Sequence, residues 1–346
     1  MTNMSYLVQS SEQLRKKASD TETKALLYLM NFREDSDEIH YFVVDFFNDL
    51  TGMDRYSYKL WDLQSKGASN SSPKSVGKEL VTLFKNYCSD INFHRYILFL
   101  GGVSSTLRID SEKNIFDINN INDKAIVKLK KGLKDECIAK SYIDELIATD
   151  DKINDFLEKV LFVIDNKKPS DYVKAIIKIH PGIMPDEDIL NAIFNEIRDK
   201  QASKKNCSNV EGITIETTDQ ALNYFRHLTS GEIKLFVLGR IINRNPFDKG
   251  CPIPFISIYN QFPEEKRVEA LEDCKIALVR ALFNKNCTDN FWKLFGEVYN
   301  IIVQNPNDGI DVIYQKLDNE IKTSCPDFDV LSLKYFIATV KEGIKV

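Results

Sequence analysis

The sequence predicts an α+β fold, a mixed sheet flanked by helices, followed by a mainly α-helical domain. Three observations lead there. Short apolar runs of strand length recur at Tyr58–Leu63, Tyr96–Leu100 and Val160–Ile164. Helical patterns separate the first two of these runs. Beyond Pro169 the pattern is almost wholly helical. A chain of 346 residues has room for two domains, each with its own core. The boundary is therefore drawn at Pro169, with a first domain over residues 1–168 and a second over residues 169–346.

Taken in order, Thr21–Asn31 reads as a helix, with Ala25, Leu26, Leu29 and Met30 on one side. The aromatic-rich Ile39–Leu50 reads as a second helix, closed by Thr51-Gly52 with the glycine just past the last turn. Tyr58–Leu63 is a strand, Gly67–Pro73 a loop of small residues, and Ser75–Tyr87 a helix with Val76, Leu80, Val81, Phe84 and Tyr87 on its apolar face. Tyr96–Leu100, stopped by Gly101-Gly102, and Val160–Ile164 are buried strands. In the second domain, helices are expected over 188–198, 232–244, 264–283, 289–303 and 330–340, with a long loop from Asn245 to Phe255.

Composition narrows the function classes. The seven cysteines stand singly, without a CxxC pair, which argues against a zinc site and for a reduced protein. The first residues, Met1–Gln13, are polar, and no apolar run approaches a membrane span, so a cytoplasmic protein is expected. No Gly-rich phosphate loop is present, so the chain is not itself an ATPase. His40, His94, His180 and His227 are isolated and read as structural. The net charge of -5 does not favour a polyanion partner, yet a nuclease needs only a local basic surface.

The informative segment is Trp61-Asp62-Leu63-Gln64-Ser65-Lys66-Gly67. On a strand, alternate side chains share a face. Asp62, Gln64 and Lys66 thus point one way, a costly arrangement unless the groups are paired or bind something. A hard cation takes oxygen ligands, polarises a phosphoryl oxygen and acidifies water, and a nearby lysine stabilises transition-state charge. The missing acidic ligand is sought just before the strand. Asp54, ten residues before Gln64, is the first choice, with Asp45, Asp49 and Asp62 as alternatives. Glu38 is a possible accessory carboxylate. The plain alternative for Asp62, Gln64 and Lys66 is a solvated face of an edge strand. Lys74, Lys78 and Lys85, and the run Lys124, Lys128, Lys130, Lys131 and Lys134, read either as ordinary solvated lysines or as contacts to a nucleic-acid backbone.

Asp54 followed by Gln64-Ser65-Lys66 resembles the D…(E/Q)xK signature of the PD-(D/E)xK nuclease superfamily, as does the order helix, strand hairpin, helix, strand. More narrowly, Trp61–Tyr87 followed by Tyr96–Gly102 is similar to double-stranded DNA endonucleases of bacterial anti-phage defence: CBASS effectors, the Lamassu nuclease subunit, and nucleases that work beside HerA-type ATPases. The similarity covers about residues 10–165 and, less closely, 188–245. It implies a restriction-endonuclease-like fold and a Mg²⁺ cofactor for which Mn²⁺ can substitute. Asp54, Gln64 and Lys66 are then the catalytic residues, Asp54 and Gln64 hold the metal, Asp62 and Glu38 are accessory, and Lys74 and Lys78 lie against double-stranded DNA. Glutamine in place of glutamate departs from the commoner pattern and supplies a neutral carbonyl. Control by a partner is implied, an SMC-type ATPase as in Lamassu before a HerA-type ATPase. Cutting both strands requires two sites, hence a homo-oligomer when active. The rival from another class is a catalytically inactive nuclease fold kept as a DNA-binding or assembly subunit, and Gln64 is the feature that favours it.

Overall fold

The computed structural model describes residues 5–9, 20–141, 143, 148–178, 184–244 and 250–344. Most of the polar Met1–Gln13 stretch, His180 and the first half of the Asn245–Phe255 loop lie outside those residues. The chain divides into two compact units, one built from Met1–Tyr172 and Phe194–Ser230, the other from Val173–Ile193 and Gly231–Val346. The boundary near Pro169 is thus displaced by a few residues, and a 37-residue segment (194–230) belongs with the first unit. Periodicity does not expose that return, because a helix that docks on the first unit reads the same as one that docks on the second.

The first unit is mixed α and β. In chain order its elements are β1 (Tyr6–Leu7), α1 (Asp20–Asn31), β2 (Tyr41–Val44), β3 (Leu50–Met53), β4 (Leu60–Lys66), α2 (Pro73–Glu79), α3 (Val81–Tyr87), β5 (Arg95–Leu100), β6 (Ile115–Phe116), α4 (Asp123–Ala139), α5 (Asp150–Leu157), β7 (Val160–Ile164) and the start of α6 (Pro169–Ile177). The end of α7 (Glu187–Lys205), β8 (Thr214–Ile215) and β9 (His227–Thr229) complete it. Among the described residues, seven strands form one sheet in the order β6-β7-β5-β4-β3-β2-β9. Strands β2, β3 and β4 are an antiparallel meander, while β5 lies parallel to β4, and β7 parallel to β5. Strands β1 and β8 pair separately.

The expected helix at Ile39–Leu50 is instead β2, a turn and the start of β3. The local chemistry explains the difference. Tyr41, Phe42, Val43 and Val44 are strand formers, and Asp45 takes a left-handed conformation (φ 47°) that interrupts a helix. Gly52 is no helix cap but a β3 residue, where a Cβ would lie 3.1 Å from Ile39 Cγ2. The expected helix at Ser75–Tyr87 begins two residues earlier and is split at Leu80 into α2 and α3. Pro73 opens it at a first-turn position, and the Ser72 hydroxyl caps it by accepting from Ser75 N at 3.2 Å.

Alternation along the central strands fills both faces of the sheet. Tyr96, Leu98 and Leu100 of β5 join a core with Phe84, Leu129, Phe156 and Phe162. On the other face Phe99 packs against Tyr28 of α1, and Phe32 against Tyr172. Each fully buried side chain of this size contributes about 2–3 kcal/mol. Helices α2 and α4 cross with their backbones nearly touching. A Cβ at Gly77 would lie 2.0 Å from Leu129 O, and one at Gly132 would lie 2.1 Å from Lys74 O.

The second unit is helical: the rest of α6 and the start of α7, then α8 (Ser230–Ile241, from Gly231 on), α9 (Ile256–Tyr259), α10 (Glu264–Phe283), α11 (Thr288–Gln304), α12 (Ile310–Lys316), α13 (Asn319–Thr323) and α14 (Val330–Gly343). Its core gathers Phe291, Trp292, Phe295 and Phe336. Asp329 and Ser332 form a reciprocal cap on α14. No helix among the described residues is long and apolar enough to cross a membrane, and all seven cysteines are free thiols.

The glycine crossing yields a direct test. Gly132→Ala forces a methyl into the Lys74 carbonyl and should lower stability by about 1–3 kcal/mol, read as a lower urea midpoint with unchanged slope. An unchanged midpoint would show that the two helices are not held at backbone contact.

Candidate active site

The carboxyl end of β4 is where the chemistry collects. Register places it there: Leu50 pairs with Leu63, so Asp49, just before β3, lies beside Gln64. The Asp49 carboxylate accepts from Gln64 Nε2 at 2.9 Å, from Ser65 N at 2.9 Å and from Ser65 Oγ at 3.1 Å. Asp45 opens the same turn, donating its N–H to Asp49 O at 3.2 Å. Lys66 closes β4, its Nζ 3.5 Å from Glu79 Oε2 of α2.

Two further elements converge on this end. The start of α1 carries Glu22, and Thr21 lies close enough to Gly67 that a Cβ there would meet Thr21 Oγ1 at 2.7 Å. The end of α7 lies along α1 through Thr23 Oγ1 to Gln201 Oε1 (2.9 Å) and Arg198 to Asp20 (2.6 Å). It delivers Lys205, whose Nζ is 2.5 Å from Glu22 Oε2 and 3.1 Å from Asp45 Oδ2. Arg226, ahead of β9, holds the turn by donating Nε to Val44 O at 3.2 Å, and its Nη2 lies 3.7 Å from Asp45. The loop after β4 packs on Gly101-Gly102, where a Cβ at Gly102 would lie 2.1 Å from Ser69 O.

Electrostatics follow from this crowding. Burial pushes the Asp49 carboxyl up to about 7, opposed chiefly by the Lys66 ammonium and raised further by Glu22 and Asp45. Burial raises Asp45 as well, against the pull of Lys205. Burial would lower Lys205, but Asp45 and Glu22 outweigh it and its ammonium is held above the usual range.

Of the residues expected from sequence, Gln64 and Lys66 sit at this end, but Asp54 does not. Asp54 lies past the other end of β3, in the β3–β4 turn, where it accepts from Tyr58 N at 2.6 Å and Lys59 N at 2.9 Å. Five residues of extended chain separate it from Asp49, about 17 Å. The acid beside Gln64 is therefore Asp49, one of the alternatives to Asp54. Glu38 is likewise remote, paired with Lys59 on the surface. The carboxylate carried by α1 at the site is Glu22, which sequence reasoning missed. Its only local signal is a place in the first turn of the first helix. Lys205 and Arg226 had none.

Asp62 shares the strand face but serves a different environment. It is fully buried, accepts from Asn86 Nδ2 at 2.8 Å, and its Oδ1 has no hydrogen-bond partner among the described residues. Burial pushes its carboxyl up to about 8. Lys74 and Lys78 pair with Asp135 and Glu136 of α4 at 2.7 and 3.4 Å, half-exposed. Lys124, Lys128 and Lys131 are exposed on α4.

Among the described residues no three His, Cys, Asp or Glu side chains are grouped as a ready-made metal cage. A Mg²⁺-type ion needs less: one or two carboxylates suffice when water and substrate phosphates fill the remaining positions. Asp49 and the carbonyl of Gln64 fit that sparse set. The Asp49 carboxyl, part-buried and crowded by two acids, is a group that a cation would relieve. Since Gln64 turns its Nε2 towards Asp49, ion binding requires that hydrogen bond to open.

Asp62 provides a pH test. Its folded-state pKa stands near 8 against an ordinary 3.8, so the fold favours its protonated form. That contribution is whole below about pH 4 and is lost as pH rises through about 8. Asp62→Asn should therefore stabilise the protein at pH 8.5 by about 1–3 kcal/mol and make little difference at pH 4.5. Urea unfolding at the two pH values checks this, and equal effects at both would contradict a buried, protonated Asp62.

No protein-family model, no curated protein and no solved structure matches the chain, so what the site does rests on its own geometry.

Proposed function

We propose that the chain is a metal-dependent endonuclease of double-stranded DNA, with its active site at the carboxyl end of β4. The observation that carries this is the meeting of Asp49, Gln64 and Lys66 across one strand end, with the Asp49 carboxyl held at about 7. Perturbed carboxyls of this kind cluster at functional sites. The succession of α1, the β2-β3-β4 meander, α2 with α3, and β5 parallel to β4 supports the restriction-endonuclease-like arrangement implied by the PD-(D/E)xK resemblance.

In this proposal Asp49 replaces Asp54 as the acidic ligand, and Gln64 supplies its carbonyl. The Mg²⁺ ion, when bound, supplies Lewis acidity towards a phosphoryl oxygen and an acidified water. Asp49 must give up its proton to take part. Lys66 places its ammonium beside the scissile phosphate, neutralises charge that grows in the transition state and orients the attacking water. Glu79, 3.5 Å from the Lys66 ammonium, would steady the lysine in that role. The exposed lysines of α4 give the DNA backbone a local basic surface on a chain of net charge -5. A role as an anti-phage effector, governed by an SMC-type or HerA-type ATPase and active as a homo-oligomer, is carried by the sequence resemblance.

One observation favours the rival, an inactive nuclease fold that only binds DNA or assembles. The Gln64 amide donates to Asp49 rather than turning its carbonyl inward. A plasmid assay with Mg²⁺ separates the two. Wild type should relax or linearise supercoiled plasmid, and Lys66→Ala and Asp49→Asn should each lose about 10²–10³ in rate while remaining folded. Asp54→Asn should cut like wild type. No cleavage by wild type, alone or with a partner ATPase, favours the inactive fold; a dead Asp54→Asn beside an active Asp49→Asn would move the site.

The pH dependence has a defined sign. Because the Asp49 proton must leave before a cation can bind, Mn²⁺ affinity should rise about tenfold per pH unit up to about 7 and level off above it. Calorimetric titration at pH 5.5, 6.5 and 8 measures this; a flat profile would remove Asp49 from the ligand set.

A further inference from the structure

Lys205 is 3% exposed, and its ammonium is shared between two carboxylates from different parts of the first unit, Glu22 of α1 and Asp45 of the β2–β3 turn. Both of those carboxylates act on Asp49. A buried lysine bridging two acids is a costly way to hold helices together, since well-packed apolar side chains of similar volume often serve as well. Its position has another meaning. Phosphodiester hydrolysis that uses two divalent ions needs a second pocket of carboxylates beside the first. Here two carboxylates, Glu22 and Asp45, face one another near Asp49, and a side chain, Lys205, lies between them. An amide at position 64 in place of a carboxylate also leaves the cluster one negative charge short, and an ammonium in place of a divalent ion leaves it one positive charge short, so the two choices match.

We infer that Lys205 is a tethered cation of the candidate site, occupying the place between Glu22 and Asp45 that a second divalent ion would otherwise take. The site is thereby limited to one exchangeable ion. Lys205 acts as a positioning residue: it neutralises Glu22 and Asp45 and fixes the turn that presents Asp49. Arg226 assists from behind, where it is fully buried and bonded to the carbonyls of Val44 and Ser208. The inference rests on reading the carboxyl end of β4 as a divalent-cation site, and the test distinguishes the two failures.

The experiment counts Mn²⁺ by calorimetry and follows Mn²⁺-dependent thermal unfolding in the full chain. Wild type should bind one Mn²⁺, and Lys205→Arg should do the same. Lys205→Gln and Lys205→Met should bind a second equivalent and gain about 3–5 °C more in Tm from saturating Mn²⁺ than wild type does. Ile197→Ala, a core truncation on the same helix, should lower Tm without altering stoichiometry or the Mn²⁺ shift. One ion in both wild type and the neutral variants, with equal shifts, overturns the inference but leaves the site. No ion in wild type overturns the site itself. Should both neutral variants fail to fold without metal, recovery on refolding in Mn²⁺ supports the inference, and failure to recover overturns it.

Discussion

The Asp49 carboxylate accepts three hydrogen bonds from Gln64 and Ser65, and through them the turn between β2 and β3 is locked onto the end of β4. Strand β3 ends its pairing at Leu50, so the main-chain N–H of Ser65 lies beyond the ladder and needs another acceptor. The aspartate side chain provides it. That bond keeps the 45–49 turn folded over the strand end, which brings Asp45 within reach of Lys205 and Arg226. A single side chain thus replaces one rung of the sheet and gathers the charged groups around it.

This arrangement places four acids and three bases within one small region: Glu22, Asp45, Asp49 and Glu79 against Lys66, Lys205 and Arg226. Burial raises the carboxyls of Asp45 and Asp49, and the ammonium and guanidinium groups hold the cluster together. Such a network is a weak source of stability, because desolvation offsets most of the attraction. The apolar layers on both sheet faces and the glycine-mediated contact of α2 with α4 stabilise the unit instead. Stability and chemistry are therefore separated in space: the core lies under the helices, and the charged cluster lies at the strand ends.

Asp62 and Gln64 illustrate how little strand parity alone decides. Both project to the same face, as alternation requires. Asp62 is fully enclosed beside Asn86 and stays protonated in the neutral range, whereas Gln64, two residues on, reaches the turn and Asp49. Both side chains are buried, and what differs is the partner each meets: Asn86 of α3 for Asp62, the β2–β3 turn for Gln64.

From the sequence alone came the strands at Tyr96–Leu100 and Val160–Ile164, the five longer helices of the second half though not the shorter α6, α9, α12 and α13, and the shared face of Gln64 and Lys66 at the end of β4, because these depend on local period and on spacing within one segment. The β2–β3 hairpin was hidden, since an aromatic-rich run such as Tyr41–Phe47 satisfies helix and strand patterns alike until a left-handed Asp45 breaks it. The choice of Asp49 over Asp54 turned on which end of a four-residue strand faces Gln64, a matter of antiparallel register that no count of intervening residues contains. Glu22, Lys205 and Arg226 were set beside Asp45 and Asp49 only by tertiary structure. They are brought in by α1 and by a segment that leaves the first unit and returns, and contacts across more than 150 residues carry no local signature.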